Sequence, residues 1–200
     1  MSFINAYNKT MGHEGGYVFD PTDRGGETYK GISRRFHPTW AGWGIIDSYK
    51  PIISENTMVN TSELLDKDID LSNSVQQFYK HHFWDVPGFN FIDIVSDRIS
   101  ESMFDTGVNV GTGTVCKWLQ STLNILNRDG KHYPDIAVDG GLGPISLQTL
   151  GECLKRNPMH RILTIMMIYQ GGHYINIMEN DTRQERFVGW FERLNINEIR

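Results

Sequence analysis

The chain is poor in cysteine, in basic clusters and in long apolar runs, and each absence excludes a class of protein. Its 200 residues include two cysteines, Cys116 and Cys153, so disulfides cannot be the framework of the fold, and we expect free thiols. The formal net charge is −5, with no basic run to neutralise phosphates, which argues against a nucleic-acid-binding protein. The longest apolar run, residues 162–169, is far shorter than the roughly 20 residues that span a membrane, so we expect no stable membrane insertion.

The remaining composition is that of an ordinary globular protein. Apolar residues make up 39% of the chain and charged residues 22%. A chain of this length can bury one substantial core, with room for a small second subdomain. No internal repeat, low-complexity tract or linker divides it. Residues 46–61 carry few strong signals of either helix or strand.

The most informative stretch follows the first apolar stripe. Phe3, Tyr7 and Met11 recur at intervals of four, which predicts a helix, and Glu14 extends this stripe to the last turn. The pair Gly15-Gly16 then allows a left-handed exit from the helix. Desolvation and the negative end of the helix dipole both raise the pKa of a carboxyl there, so Glu14 is expected to stay protonated near neutral pH, as a general acid must. The alternative is a helix-terminal glutamate that is hydrogen-bonded to its neighbours.

The residues around Glu14 carry a family resemblance. The motifs are His13-Glu14-Gly15-Gly16-Tyr17, Asp20-Pro21, Gly25-Gly26-Glu27-Thr28 and Gly31-Ile32-Ser33. They resemble the signature of glycoside hydrolase family 108, whose members are N-acetylmuramidases, also called secretion activator proteins. More distantly, the order Glu14, Asp23, Thr28 is similar to the Glu, Asp and Thr of phage-type lysozymes, in which the spacing from Asp to Thr is one residue longer.

The resemblance implies a mainly α, lysozyme-like fold in which residues 17–44 form an irregular or short β-hairpin segment along one wall of the cleft. It implies cleavage of the β-1,4 bond between N-acetylmuramic acid and N-acetylglucosamine, with Glu14 as the general acid. Asp23 is the first candidate to hold the attacking water, Thr28 would help to orient that water, and Glu27 is the alternative carboxylate. We expect neither a cofactor nor a metal.

Several further side chains are expected to bind the glycan. They are Tyr17, Glu27, Tyr29, Trp40, Trp43, Asp105 and Asn109. If the two indoles are exposed, they offer rigid stacking surfaces for sugar rings, whereas the alternative is that they cover the core. Asp105 and Asn109 lie four residues apart on a helix predicted at 97–109. Between them, Gly107 would allow the close approach of either a sugar or another helix.

The run Phe104–Gly111 resembles a second signature of the same family, where this helix lines the groove opposite the catalytic glutamate. After it, two predicted helices, 114–128 and one that begins at Pro144, flank an Asp-Gly loop and resemble the small peptidoglycan-binding module attached to such hydrolases. A helix at 158–174 is apolar almost all round and is expected to be the buried central helix. Residues 182–185 form a predicted capping box at the start of the last helix.

These segments predict a lysozyme-like catalytic region at residues 1–110 and a helical peptidoglycan-binding-like region at 111–200, packed against it as one unit. The expected partner is bacterial cell-wall peptidoglycan, and the protein is expected to be a monomer. The amino terminus lacks the charged start and apolar run of a signal peptide. We therefore expect synthesis in the cytoplasm and action in the periplasm or at the wall after release or non-classical export.

Three other functions compete with the muramidase. A lytic transglycosylase also needs only one carboxyl and would act on the same bond, and a non-catalytic wall-binding or secretion-helper protein could keep the same fold. A metal-dependent amidase is disfavoured because no His follows His13-Glu14 at helical spacing, and His81-His82 are adjacent and point to different faces. Calcium is also disfavoured, because Asp135 and Asp139 lack the regular oxygen ligands and closing Glu of a calcium loop.

Overall fold

The computed structural model describes residues 2–11, 15–19, 25–55 and 60–194. Contacts between Cα atoms divide the chain into two units, Phe3–His82 and Phe83–Arg200. The elements of the first are α1 (Ser2–Met11), β1 (Tyr17–Phe19), β2 (Glu27–Tyr29), β3 (Ile32–Ser33), α2 (Gly42–Glu55), α3 (Thr61–Asp66) and α4 (Ile69–Lys80). The three strands form one antiparallel sheet in the order β1-β2-β3, which confirms the predicted β-hairpin segment.

Helix α1 confirms the first predicted helix over the residues that the structure describes. Its buried side chains are Phe3, Ala6 and Thr10, while Tyr7 is half-buried beside them. The ring of Tyr7 lies 6.0 Å from that of Tyr79 on α4, so this face of α1 packs into the core of the first unit. The predicted position of Glu14 on this stripe lies outside the described residues.

Helix α2 was not predicted. Gly42 and Gly44 stand in its first turn and Pro51 within it, and all three lower helix propensity. The helix forms because it buries Trp43 and Ile46, which are 3% and 0% exposed. Here tertiary burial overrides local propensity.

Residues 61–85 are helical almost throughout, in three pieces. Asn60 and Asp68 cap α3 and α4 by accepting hydrogen bonds from backbone N–H groups in the first turns. After α4 the helix widens into a π-helical turn, His81–Asp85. The apolar side chains at helical spacing along this stretch include Val75, Phe78, Tyr79 and Trp84, which are buried, and Phe83, which is half-buried.

The second unit is helical. Its elements are α5 (Phe89–Val95), α6 (Asp97–Val110), α7 (Thr112–Leu126), α8 (Pro144–Leu154), α9 (Met159–Asn180) and a 3₁₀ segment (Thr182–Arg193). The core includes Met103, Phe104, Leu119, Leu123 and Leu150, each fully buried. Both cysteines are buried and free, which confirms that prediction. None of the described helices is both long enough and apolar enough to cross a membrane.

Two predictions about the last helices were wrong. Helix α9 buries a single stripe at four-residue spacing, Ile162, Met166, Gln170 and Tyr174, while Ile168 is 64% exposed. It is therefore not buried on all sides, although its outward positions are also apolar. The next segment is a 3₁₀ helix capped one residue earlier than predicted, because the side chain of Asp181 accepts the hydrogen bond from the Arg183 N–H.

Candidate active site

The described part of the candidate site centres on the small sheet. Glu14 and Asp23 lie outside the described residues. In β2, Thr28 is paired with Val18 of β1 and Ser33 of β3. Because side chains alternate along a strand, Thr28 projects to the face opposite Glu27.

Thr28 is half-buried, and its hydroxyl has no hydrogen-bond partner among the described residues. Its two strand neighbours differ, since Val18 is 55% exposed whereas Ser33 is buried and donates to the carbonyl of Gly25 over 2.7 Å. Within the described part of the chain, the Thr28 hydroxyl is therefore available to bind a ligand or water.

Glu27, on the other face, is at the centre of a charged cluster. Its side chain is 7% exposed and forms salt bridges with Arg34, at 2.6 Å from Nε, and with Lys50, at 3.1 Å from Nζ. The hydroxyl of Tyr17 donates to Oε1 of Glu27 over 2.9 Å. Burial, followed by this hydrogen bond, raises the pKa of Tyr17 to about 12. With both oxygens engaged by donors, Glu27 is better suited to hold the hairpin together than to accept a proton from water.

A second carboxylate completes this cluster. Asp47 of α2 pairs with Arg34 through two hydrogen bonds, of 2.7 and 3.0 Å, and with Lys50 at 2.7 Å. The guanidinium of Arg34 also lies over the ring of Trp43, 4.4 Å from its centroid. The two carboxylates and two cations thus connect the hairpin, through Glu27 in β2 and Arg34 directly after β3, to helix α2, which carries Asp47 and Lys50. Hydrogen bonds from Arg34, then from Lys50, lower the pKa of Asp47 to about 2.

Asp47→Asn is expected to reduce the free energy of unfolding at pH 7 by less than about 1 kcal/mol, because the pair is half-exposed and screened by solvent. The pKa of Asp47 is lower in the folded protein, so its contribution is present above the unfolded value, 3.8, and is lost as pH falls towards 2. Urea titrations should therefore show a smaller difference between variant and parent at pH 2 than at pH 7. Glu179→Gln, at an exposed site on α9, is the control. An undiminished difference at pH 2 would contradict the ion-pair explanation.

Tyr29 lies in the core of the first unit. It is 1% exposed, and its hydroxyl donates to Oδ1 of Asp66 over 2.9 Å. The ammonium of Lys30 also pairs with Asp66, at 3.0 Å. Burial, with the neighbouring Asp66, raises the pKa of Tyr29. These contacts favour a structural role for Tyr29 over the predicted substrate contact.

The two indoles differ in environment. The sequence leaves two roles possible for them, stacking on sugar and covering the core. Trp43 is 3% exposed and donates its indole N–H to the carbonyl of His37 over 2.8 Å, so it covers the core. Trp40 is half-buried and meets Trp43 edge to face, with centroids 4.9 Å apart. A Cβ at Gly42 would lie 2.2 Å from the Trp40 ring, so this glycine is required for the close approach. Trp40 keeps the partial exposure that a stacking surface needs.

Asp105 and Asn109 occupy adjacent turns of α6 in the second unit. The side chain of Asn109 is exposed, donates to the backbone carbonyl of Asp105 over 2.7 Å, and accepts a hydrogen bond from Arg193. Between them, Gly107 is buried, and an added Cβ would lie 3.4 Å from both Phe89 and a methyl of Thr112. Of the two alternatives for Gly107, this contact with neighbouring helices supports helix packing.

Sequence reasoning missed the two cations and the second acid around Glu27. Lys50 and Asp47 are three residues apart on one face of α2, which is a recognisable signal only once that helix is known. Arg34 lies seven residues after Glu27 and reaches it across the turn between β2 and β3. These partners are set by tertiary structure.

A mainly α chain with a three-stranded antiparallel sheet near its amino terminus is a lysozyme-like fold, as predicted. The chain belongs to the glycosyl hydrolase 108 family, whose model matches residues 7–111, just over half of its length. A second family model, described as a predicted peptidoglycan domain, matches residues 114–195. These matches define a peptidoglycan-active protein, a hydrolase or a binder, with a glycoside hydrolase domain.

Among solved structures, the chain is similar to that of Brucella abortus SagA, with a TM-score of 0.59 and 17% sequence identity over 99% of this chain and 91% of that chain. At this identity the likeness shows the fold alone. A comparison with curated proteins found no match. The glycosyl hydrolase match includes α6, which belongs to the second of the two compact units, and the domain boundary at residue 110 stays a prediction.

Proposed function

We propose that the protein is an N-acetylmuramidase that hydrolyses the β-1,4 bond between N-acetylmuramic acid and N-acetylglucosamine in peptidoglycan. The observation that carries this proposal is the glycosyl hydrolase 108 match over residues 7–111, which includes Glu14, Asp23 and Thr28. The peptidoglycan domain match over residues 114–195 supports the choice of polymer.

In the proposed mechanism, Glu14 protonates the glycosidic oxygen as the bond breaks. Asp23 holds a water on the opposite face of the sugar ring, an inverting arrangement that requires roughly 6.5 to 9.5 Å between the two carboxyl groups. The half-buried hydroxyl of Thr28, without a partner among the described residues, is suited to orient that water. The water attacks the anomeric carbon and gives its proton to the Asp23 carboxylate, while the proton from Glu14 leaves on the oxygen of the departing sugar.

The contacts of Glu27 support a positioning role for it in this mechanism, in place of the alternative catalytic carboxylate. Its salt bridges to Arg34 and Lys50 fix β2, the strand that carries Thr28. For glycan binding we retain Trp40, through its half-exposed ring, together with Asp105 and Asn109 on α6. We place the action of the protein at the cell wall, where this polymer lies.

A second candidate function is binding to the wall without cleavage, which the peptidoglycan domain match would equally support. A turbidity assay on purified sacculi separates the two. The parent protein is expected to clear the suspension and Glu14→Gln to leave it turbid while still sedimenting with the sacculi. If the parent sediments with sacculi and does not clear them, the hydrolase proposal is wrong and the binder is supported.

A further inference from the structure

Three aromatic side chains of α7 and α9 form a cluster within residues 114–195. The ring of Trp118 on α7 stacks parallel to that of Tyr169 on α9, with centroids 6.0 Å apart and an interplanar angle of 10°. His173, one turn after Tyr169, meets Trp118 at 5.6 Å and 65°. All three residues are half-buried, so the cluster lies at the surface of the second unit and is partly open to solvent. We call these three residues the Trp118 cluster.

The polar atoms of the Trp118 cluster differ from those of the core aromatics. The indole N–H of Trp43 donates to a backbone carbonyl, and the Tyr29 hydroxyl donates to a carboxylate. By contrast, the side chains of Trp118, Tyr169 and His173 make no hydrogen bond with any described residue. Among the described residues, the buried polar atoms that lack a hydrogen-bond partner include no atom of these three side chains. The polar atoms of the cluster are therefore accessible to solvent. The cluster thus combines ring faces with unused donors and acceptors.

We infer that the Trp118 cluster is a binding subsite for N-acetylated hexosamine units of the peptidoglycan glycan strand. A pyranose ring has an apolar face that packs on an aromatic ring, and rigid aromatic rings lose little entropy when they bind. The indole N–H can donate to an acetamide carbonyl, and the Tyr169 hydroxyl can pair with a sugar hydroxyl. This site lies outside the group of residues proposed for catalysis.

The chemistry of the cluster favours the glycan over the peptide stems of the wall polymer. Peptide stems carry carboxylates, which are best recognised by arginine or lysine. Trp118 and Tyr169 supply ring faces and neutral polar atoms. The neighbouring cation on α7, Lys117, has its side-chain carbons packed beside Gly140 of the Asp-Gly loop. An uncharged, N-acetylated sugar is therefore the ligand that fits.

The inference rests on the proposed function for its choice of polymer, and it can be tested in the Glu14→Gln protein, which is expected not to consume the probe. Hexa-N-acetylchitohexaose is titrated into ¹⁵N-labelled protein, and the indole N–H resonance of Trp118 is assigned by its loss in Trp118→Phe. We expect this resonance to shift and saturate. A Trp118 resonance that does not move at millimolar oligosaccharide overturns the subsite.

Affinity for purified sacculi provides the second measurement, again in the Glu14→Gln background. Trp118→Ala is expected to weaken binding about tenfold through loss of the stacking face, and Tyr169→Phe about threefold through loss of one hydrogen bond. Phe91→Ala is the matched control, because Phe91 is a 48% exposed aromatic on α5, outside the matched segment, and should bind as the parent does. Unchanged affinity in both Trp118→Ala and Tyr169→Phe overturns the subsite.

Two further measurements separate loss of binding from loss of folding, and the subsite from the muramidase activity. If Trp118→Ala lowers the thermal midpoint strongly, the test rests on Tyr169→Phe, which keeps the ring and its packing. Hydrolysis of sacculi by the parent protein is measured separately. If the parent hydrolyses sacculi but neither the Trp118 resonance nor the affinity of its variants changes, the subsite is wrong and the muramidase proposal stands. If oligosaccharide binds at Trp118 but the parent does not hydrolyse sacculi, the subsite stands and the muramidase proposal is wrong.

Discussion

Glu14→Gln is expected to reduce the hydrolysis of purified sacculi by roughly 10²- to 10⁴-fold, the range attributed to general acid–base catalysis. The amide keeps the size of the side chain and has no proton to transfer to the leaving sugar oxygen. Binding to sacculi should persist, because the residues proposed to hold the glycan are unchanged. The rate is measured as release of soluble muropeptides over time.

The matched control is Glu179→Gln, the same substitution at an exposed position of α9, which should retain parental activity. Both variants are compared at equal folded concentration, which circular dichroism verifies. Activity of Glu14→Gln within tenfold of the parent would remove Glu14 from the acid role.

The same variant is also informative about pH. A carboxyl that the fold keeps protonated destabilises the folded protein as pH rises from its unfolded towards its folded pKa, since ionising it in place costs more than in the open chain. We therefore expect Glu14→Gln to stabilise the protein more at pH 7 than at pH 4, as measured by urea unfolding. The alkaline limb of the hydrolysis profile should follow the same group. An equal gain at both pH values would contradict the idea that the fold holds this acid neutral.

Glu27→Gln is expected to lose stability and keep activity, in contrast to Glu14→Gln. The expected loss of stability is about 2 kcal/mol, and activity per folded molecule should stay within tenfold of the parent. Removing one partner of a buried ion pair leaves the other charge uncompensated, at a cost of about 3–5 kcal/mol. The estimate here is lower because Arg34 and Lys50 are 30% and 45% exposed and can be solvated. Urea unfolding at pH 7 gives the free energy, and sacculus hydrolysis well below the midpoint gives the activity.

Asp47→Asn is the matched control for Glu27→Gln, because Asp47 contacts the same two cations at the half-exposed edge of the cluster. Its effect on stability should be clearly smaller. If Glu27→Gln keeps its stability and loses its activity, Glu27 has a catalytic role. That result would also weaken the assignment of Asp23 as the group that holds the water.

Much of the fold follows from periodicity in the sequence. The helix predicted at 97–109 is observed as Asp97–Val110, and that predicted at 114–128 as Thr112–Leu126, because their apolar residues recur at helical spacing and become buried. Helix α2 escaped prediction because two glycines and a proline obscure its pattern. The prediction for helix α9 was wrong, because apolar side chains on its outward face suggested burial that does not occur.

The candidate site was less predictable, because residue type does not reveal tertiary partners. Thr28 and Glu27 are neighbours in sequence, and the strand places one on a face with an available hydroxyl and the other in a charged cluster. Trp40 and Trp43 are similar by sequence, yet Trp43 is the more deeply buried of the two. These outcomes depend on Lys50 of α2 and Arg34 after β3, which no local pattern connects to Glu27.

The most direct test of the central claim is mass spectrometry of the products released from purified sacculi by the parent protein. A muramidase adds water across the β-1,4 bond, so the account predicts muropeptides that end in reducing N-acetylmuramic acid and that are absent from the Glu14→Gln digest. Products that each lack one water, with anhydro ring ends, would show a lytic transglycosylase. Those products, or the absence of any released glycan, would contradict the account.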